Sequence, residues 1–232
     1  MRRRPFLAAL AALPLPAAAQ QSRSLPGRPP APAQPRGGMP AATPEPAPLT
    51  AQDRADLARI EAYLDGIRTL KARFVQADAR GGTAEGTLWL QRPGRMRFEY
   101  DPPAQILLVA DGMFVIFHDR SVQQTSHIPI GATPLSVLLA ERIRLTGGDV
   151  EPIRVDRSPG VILVTLIQAG KPREGSITLG FADPPLELRQ WTVVDAQGQA
   201  VRVSLYGAET GGRFDPALFR FVDPRTFDNR TN

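Results

Sequence analysis

No cysteine occurs among the 232 residues of the chain. That excludes disulfides, thiolate catalysis, cysteine-ligated metals and the lipid-modified cysteine of a bacterial lipoprotein. Histidine is nearly as scarce, with only His118 and His127 present. No His-Glu-x-x-His or similar spacing surrounds either one, so each reads as a strand-end residue rather than a metal ligand. A Gly-x-Ser-x-Gly elbow, a P-loop and a Gly-x-Gly-x-x-Gly after a strand are lacking too. Beyond the N-terminal segment, no apolar run is long enough to cross a bilayer as a helix. The sequence thus offers no catalytic residue, no metal site and no cofactor site, and the weight moves from enzyme to binding protein.

A surplus of positive charge is also missing where it would matter. The formal net charge is +5, but residues before Thr50 carry six arginines and a single acid, Glu45. Setting these aside from 28 basic and 23 acidic residues leaves 22 of each in the remainder. A neutral folded part gives no reason to expect nucleic acid or an anionic membrane as partner.

What is present begins with a processing signature. Arg2, Arg3 and Arg4 form a charged start, an apolar core follows over 6–15, and Ala17-Ala18-Ala19 make a small-residue cleavage site before Gln20. The apolar core is too short for a spanning helix, so residues 1–19 read as a removed secretory signal. Arg3-Arg4-Pro5-Phe6-Leu7 also fits a loose twin-arginine pattern. The expected destination is the periplasm. Residues 20–49 are rich in Pro, Ala, Gly and Arg, with nine prolines among the 29 residues of 20–48. Such a stretch cannot pair into helix or sheet and has too little apolar surface to offset its ordering entropy, so it reads as a disordered tether.

One domain is expected over 50–224, with 225–232 as a tail. Thr50 followed by Asp53 has the form of a helix N-cap with an acid at the third position. Leu57, Ile60, Leu64 and Ile67 then place one apolar stripe on a helix of about five turns. Arg54, Asp56, Arg59, Glu61 and Asp65 fall largely off that stripe. From Leu70 the pattern is almost all β, with strands expected over 70–77, 85–91, 95–100, 105–110, 113–118, 121–127, 150–155, 161–168, 175–181, 186–195 and 200–206. Short strands at this spacing, with turns such as Asp111-Gly112, argue for an antiparallel meander. The run Met113-Phe114-Val115-Ile116-Phe117 does not alternate, so both faces of its strand must be covered. Thr133 as N-cap and Pro134 at the first position predict a short helix over 133–142, with Leu135, Leu138 and Leu139 on one face. Residues 214–221 read as a turn of helix leading into a last strand. A sheet of about eleven strands must curl or close.

The hairpin 88–100 is the informative stretch. Side chains alternate across a strand, so Leu88, Leu90 and Arg92 share a face, as do Met96, Phe98 and Tyr100. Arg95, Arg97 and Glu99 take the other face and read as solvated exterior. One apolar surface therefore carries one guanidinium at its lip, which is costly unless it finds a partner. Asp101, Asp111 and Asp119 sit in expected turns, where Asp is ordinary.

Leu88-Trp89-Leu90-Gln91-Arg92-Pro93-Gly94, Phe98-Glu99-Tyr100, Leu108-Val109-Ala110-Asp111-Gly112 and Thr133-Pro134-Leu135 with Leu138-Leu139 closely resemble the LolA family of periplasmic outer-membrane lipoprotein carriers. Leu70-Lys71-Ala72-Arg73-Phe74-Val75-Gln76 resembles that family's first strand, and the likeness runs in order from about residue 53 to 224. The proline-rich segment departs from the compact N-terminus of such carriers.

The resemblance implies an unclosed, strongly curved antiparallel β-barrel with helices as a lid over an apolar cavity for lipoprotein acyl chains. Arg92 would be a latch that donates to lid-helix carbonyls. Leu88, Leu90, Met96, Phe98, Tyr100, Leu135, Leu138 and Leu139 would line the cavity. The implied partners are acylated lipoproteins, an inner-membrane ABC lipoprotein-release complex and an outer-membrane lipoprotein receptor, and the implied state is a monomer. Two other readings stay open beside it. One is a carrier or sensor of a different periplasmic amphiphile such as a glycolipid. The other is a protein-interaction module with a filled core that binds through its sheet edge. A packed, ligand-free interior would favour the module.

Overall fold

A computed structural model describes residues 48–222; the expected signal segment and tail lie outside them, as does nearly all of the expected tether. Helix α1 (Ala51–Gly66) leads into eleven strands: β1 (Thr69–Asp78), β2 (Thr83–Gln91), β3 (Arg95–Tyr100), β4 (Ile106–Asp111), β5 (Phe114–Asp119), β6 (Gln124–Pro129), β7 (Val150–Ser158), β8 (Val161–Gln168), β9 (Gly175–Ala182), β10 (Glu187–Asp195) and β11 (Ala200–Thr210). A single helical turn, α2 (Ser136–Leu139), interrupts the series between β6 and β7.

All strands form one antiparallel sheet in the order β6-β5-β4-β3-β2-β1-β11-β10-β9-β8-β7. The chain folds as two meanders joined where β1 pairs with β11. β6 and β7 remain as free edges, so the curved sheet is an unclosed barrel. Register breaks in the β1/β11, β9/β10 and β7/β8 ladders add local twist, which helps so wide a sheet curl. Alternation decides what faces inward: in β1 the buried positions are Leu70, Ala72, Phe74 and Gln76. Their neighbours continue the surface through the pairs Leu70 with Leu90 and Leu88 with Phe98. Nearly all apolar residues of this inner face join the main core, along with Leu57, Ile60 and Leu64 of α1.

The start of α1 is as the sequence predicts. Asp53 donates its backbone N–H to the Thr50 hydroxyl oxygen at 3.1 Å, and Asp53 Oδ2 accepts from the Thr50 backbone N–H at 2.7 Å. Asp56 corrects the expected pattern, because it is buried rather than lying off the apolar stripe. It is tolerated there because it is paired: Arg157 Nε lies 2.6 Å from Asp56 Oδ2, and Arg59 Nη2 lies 3.2 Å from Oδ1. Arg157 also reaches Asp53 at 2.7 Å, and Arg59 reaches Asp183 at 2.7 Å. This cluster pins the N-terminal half of α1 to the β7–β8 end of the sheet.

The two carboxyls make that pinning sensitive to acid. Bonds from the Thr50 side chain and backbone, and then Arg157, bring Asp53 from its ordinary 3.8 down to about 2. Burial pushes Asp56 upward, but Arg157, Gln52 and Arg59 outweigh it and hold it below the usual range. Groups whose folded values are depressed contribute stability that is complete above the unfolded value and lost as pH falls through the folded one. The melting temperature is therefore expected to hold down to about pH 4 and to drop between there and about pH 2. Asp53→Asn should melt lower at neutral pH and show a shallower acid drop; an unchanged slope would remove Asp53 from the account.

Residues 214–221 cover the outer face of β3–β5. The segment forms a 3-10 turn, Pro216–Phe219, and no strand follows it among the described residues, contrary to expectation. Its buried Phe219 and the ring contact of Phe221 with His118, centroids 5.2 Å apart, cover the outer side of the non-alternating strand β5. One expectation changes in consequence. Arg97 is largely covered rather than solvated and donates from Nη1 to the Leu218 carbonyl at 3.2 Å. His118, near the end of β5 as expected, is only 1% exposed beneath this cover.

Candidate functional site

Arg92 is the site's organising side chain. It follows directly on β2 and keeps the inward parity of Leu88 and Leu90, which carries its guanidinium beneath the C-terminal end of α1. A helix end leaves its last carbonyls without intrahelical donors, and Arg92 takes them. Nε donates to the Ile67 carbonyl at 2.7 Å, and Nη2 donates to the carbonyls of Leu64 and Ile67. Nη1 reaches the Ala140 carbonyl at 3.5 Å and lies 3.6 Å from Asp65 Oδ1. The side chain is 2% exposed. Burial pushes the guanidinium down from its ordinary value and Asp65 pulls it back up. A planar fork with this many donors can serve two separate pieces of backbone at once, which the single charged point of a lysine cannot.

Those two pieces are α1 and the segment 138–145, and they are also tied to the β2–β3 turn and to each other. The Gly94 N–H donates to the Leu139 carbonyl at 2.8 Å, and Arg68 Nη1 donates to the Glu141 carbonyl at 2.9 Å. From α1, Asp65 accepts from the Ile143 N–H at 2.8 Å and Glu61 accepts from the Leu145 N–H at 2.6 Å. The roof over the inner sheet is thus a helix and a loop joined by hydrogen bonds at their polar edges. The loop is not the helix expected over 133–142. Thr133 caps nothing forward: its hydroxyl donates back to the Ile130 carbonyl at 2.9 Å, closing the 3-10 turn Ile130–Ala132. Only Ser136–Leu139 are helical, with no side-chain cap. The backbone is instead spent on Arg92, Gly94 and the acids of α1.

All eight residues expected to line a cavity are buried where roof and sheet meet, five on β2 and β3 and three on the loop above them. They surround no open chamber. Leu88, Leu90 and Leu138 border a void of 20 Å³ next to Arg92. Phe98, Tyr100 and Leu135 border a second of 40 Å³. Met96 and Leu139 are packed in the core and border neither. Voids of this size admit one to a few waters, not a hydrocarbon chain. A larger groove of 390 Å³ lies outside the roof, between 131–136 and the strand ends around 166–169 and 174–177, away from Arg92.

The packed interior is the state that sequence reasoning associates with an interaction module. What fills it here, however, includes the roof: Leu57, Ile60 and Leu64 of α1 with Leu138, Leu139 and Ile143 of the loop. Trp191 of β10 borders both voids and stacks edge-on against Phe98 at 6.2 Å. Its sequence signal is no more than an aromatic on an alternating strand. Gln76 is the polar side chain among the lining residues not expected, and its signal is legible: a polar residue at the inward parity of Leu70, Ala72 and Phe74.

The remaining polar candidates hold structure. Asp111 accepts from the Met113 and Phe114 N–H groups, and Asp119 from that of Ser121, as turn aspartates do. Asp101 pairs with Arg73 across two strands. His118 Nδ1 lies 3.0 Å from the Thr125 hydroxyl. Among the described residues, no group of three or more His, Asp or Glu stands close enough to hold a metal ion.

Comparison with known proteins bears on the whole of this architecture. The family described as "Outer membrane lipoprotein carrier protein LolA" matches residues 65–222. An outer-membrane lipoprotein carrier protein of Chromohalobacter salexigens is 30% identical over 194 residues, covering 78% of this chain and 90% of that one. The protein of the same description from Methylococcus capsulatus is 29% identical over 182 residues, covering 73% and 85%. Among solved structures, a LolA superfamily protein from Nitrosomonas europaea aligns over 71% of this chain and 97% of its own, with a TM-score of 0.39 at 12% identity.

Proposed function

The chain belongs to the LolA family of outer membrane lipoprotein carriers, and from that premise we infer that it binds the acyl chains of lipoproteins released from the inner membrane and delivers them to the outer membrane. The observation that carries the mechanism is Arg92, one buried guanidinium strapping both pieces of a roof over an apolar inner sheet. Its place of work is the periplasm, to which a cleaved signal over 1–19 would send the domain of 50–224. Nothing in that work calls for a catalytic group or cofactor.

Energetics explain why such a carrier needs a roof that opens. Burying an acyl chain is worth about 0.8 kcal/mol per CH₂, so one long chain is worth on the order of 10 kcal/mol gross. A bilayer offers nearly as much. Hydrophobicity alone therefore cannot drive transfer in either direction, and the grip on the chain must be offset by something regained on release. Here the regained term is the closed state: the bonds from Arg92 and the packing of α1 and the loop onto the sheet. Loading opens the roof and loses them; unloading recovers them. The work of loading belongs to a separate machine, for which an inner-membrane ABC lipoprotein-release complex is the natural candidate, with an outer-membrane receptor at the other end.

Mass spectrometry of lipids co-purifying with the protein from the periplasm tests this reading directly. Acylated, cysteine-linked peptides are expected. A different lipid would favour the carrier or sensor of another amphiphile, and an empty protein from cells blocked in lipoprotein delivery would favour the interaction module.

A further inference from the structure

The void of 40 Å³ has apolar walls, among them Phe98, Leu135, Trp191 and Val193, and one polar pair. Gln76 and Tyr100 face each other there from β1 and β3, and each is more than nine-tenths buried. The Tyr100 hydroxyl donates to Gln76 Oε1 at 2.6 Å. That separation suits a hydroxyl meeting a carbonyl oxygen, and in this arrangement the amide oxygen faces the phenol. Burial raises the Tyr100 pKa, so the phenol stays protonated and remains the donor. The Gln76 amide nitrogen is thereby turned away from Tyr100 and has no hydrogen-bond partner among the described residues. The nitrogen is not among the fully enclosed polar atoms that lack a partner, so it keeps some accessible surface; an apolar residue would serve a purely structural core at least as well.

Position narrows what the donor is for. Gln76, Tyr100, Val193 and Val201 are each 7–8% exposed, whereas Phe74, Leu88 and Met96 are fully buried. The pair therefore sits towards one rim of the inner surface. The void beneath Arg92 is bordered by Leu70, which lies about 20 Å from Gln76 along β1. Trp191 stands between the two. An acyl chain is apolar along its length and has one acceptor, the carbonyl oxygen of its ester or amide link, at its head. A chain lying along this surface with its head at the rim would place that oxygen at Gln76 and run its hydrocarbon past Trp191 towards Arg92.

We propose that the Gln76 amide nitrogen, oriented by the Tyr100 hydroxyl, is the donor for the linkage carbonyl of a bound acyl chain and so sets the depth at which cargo is held. This rests on the carrier reading. The pair selects acyl esters over chains that lack a carbonyl, a discrimination that an all-apolar cavity cannot make.

The test uses two synthetic cysteinyl peptides: one with an S-linked dipalmitoylglycerol, the other with both ester links replaced by ethers. Binding is followed by titration calorimetry on the full mature chain. The native protein is expected to prefer the ester by about tenfold, as for one well-made buried hydrogen bond. Gln76→Met should bring the ester's dissociation constant to that of the ether and leave the ether's unchanged. Tyr100→Phe, which frees the amide to rotate, should lose part of the preference. Equal binding of the two probes by the native protein, or an undiminished preference in Gln76→Met, overturns the assignment while leaving the carrier intact. If neither the native protein nor Arg92→Leu, whose roof is unstrapped, binds either probe, the carrier reading itself fails. Because the decisive ratio is read on the native chain, the result stands whether or not a variant folds.

Discussion

Arg92→Leu is expected to take up lipoprotein and then to keep it. The substitution removes every bond that Arg92 itself makes to the roof, to the carbonyls of Leu64, Ile67 and Ala140 and to Asp65. Hydrogen bonds from a charged donor are each worth about 1.5–3 kcal/mol net, and on the proposed carrier mechanism these exist only when the roof is closed and the cavity empty. Their loss weakens the empty state relative to the loaded one, and each 1.4 kcal/mol of that shift is tenfold in affinity. Even if only one bond's worth survives relaxation of the loop, transfer to acceptor outer membranes should slow by about tenfold or more. In a two-stage assay, soluble complex should form at or above the native level in the first stage and persist through the second. Arg92→Lys should fall between, since one ammonium cannot span two backbone segments. Transfer at the native rate by Arg92→Leu would show that the strap has no part in release.

Gly86→Ala is expected to damage the fold itself. Gly86 lies in β2, opposite Phe74 of β1 and Tyr100 of β3, at the centre of the curved sheet. A Cβ there would stand 2.2 Å from the Glu99 carbonyl oxygen and 2.7 Å from the Phe74 ring. Neither neighbour can yield cheaply. The carbonyl belongs to a strand with partners on both sides, and Phe74 is fully buried in edge contact with Phe98 at 5.0 Å and Tyr100 at 5.1 Å. The loss of stability should reach about 3 kcal/mol, the upper end of what overpacking costs. Denaturant titration measures it, with Gly131→Ala as the control, since nothing lies within 4 Å of a Cβ there. A shift for Gly86→Ala no larger than the roughly 0.5 kcal/mol expected of a surface change would overturn the packing argument.

These two expectations concern different halves of one design. The sheet must be curved and rigid enough to present an apolar trough, and Gly86 allows its strands to approach Phe74 closely. On the proposed carrier mechanism the roof must be removable, and Arg92 bonds it to backbone carbonyls of separate segments. A roof held by packing alone would leave the loaded and empty states separated by little more than hydrocarbon exchange. Ion pairs hold the other end of α1, where Arg157 grips Asp53 and Asp56. The helix is thus anchored at both ends by different chemistry, and only the C-terminal anchor spans the helix and the loop.

Much of this was written in local pattern. Alternation marks the strands because a pleated strand has a period of two, and it assigns Leu88, Leu90, Phe98 and Tyr100 inward without reference to anything distant. The Thr50–Asp53 cap and the end of α1 at Gly66 are likewise decided within a few residues of chain. The same local logic misjudges 133–142. Thr133-Pro134 is a sound helix start in isolation, but the carbonyls of Leu139, Ala140 and Glu141 are claimed by Gly94, Arg92 and Arg68, far away in sequence. Asp56 is similar, since its burial depends on Arg157, about a hundred residues later.

By itself, then, the sequence determined the antiparallel meander, the inward face of each strand, the lone guanidinium on that face and the family to which these belong. Each depends on periodicity or on neighbours close in the chain. Only the tertiary structure decided that Arg92 joins two roof segments, that the roof fills the trough it covers, and that Gln76 holds an unpaired donor at the rim. Those features arise from partners brought together across the fold, where no local propensity records which carbonyl a side chain will find or how much room is left beneath it.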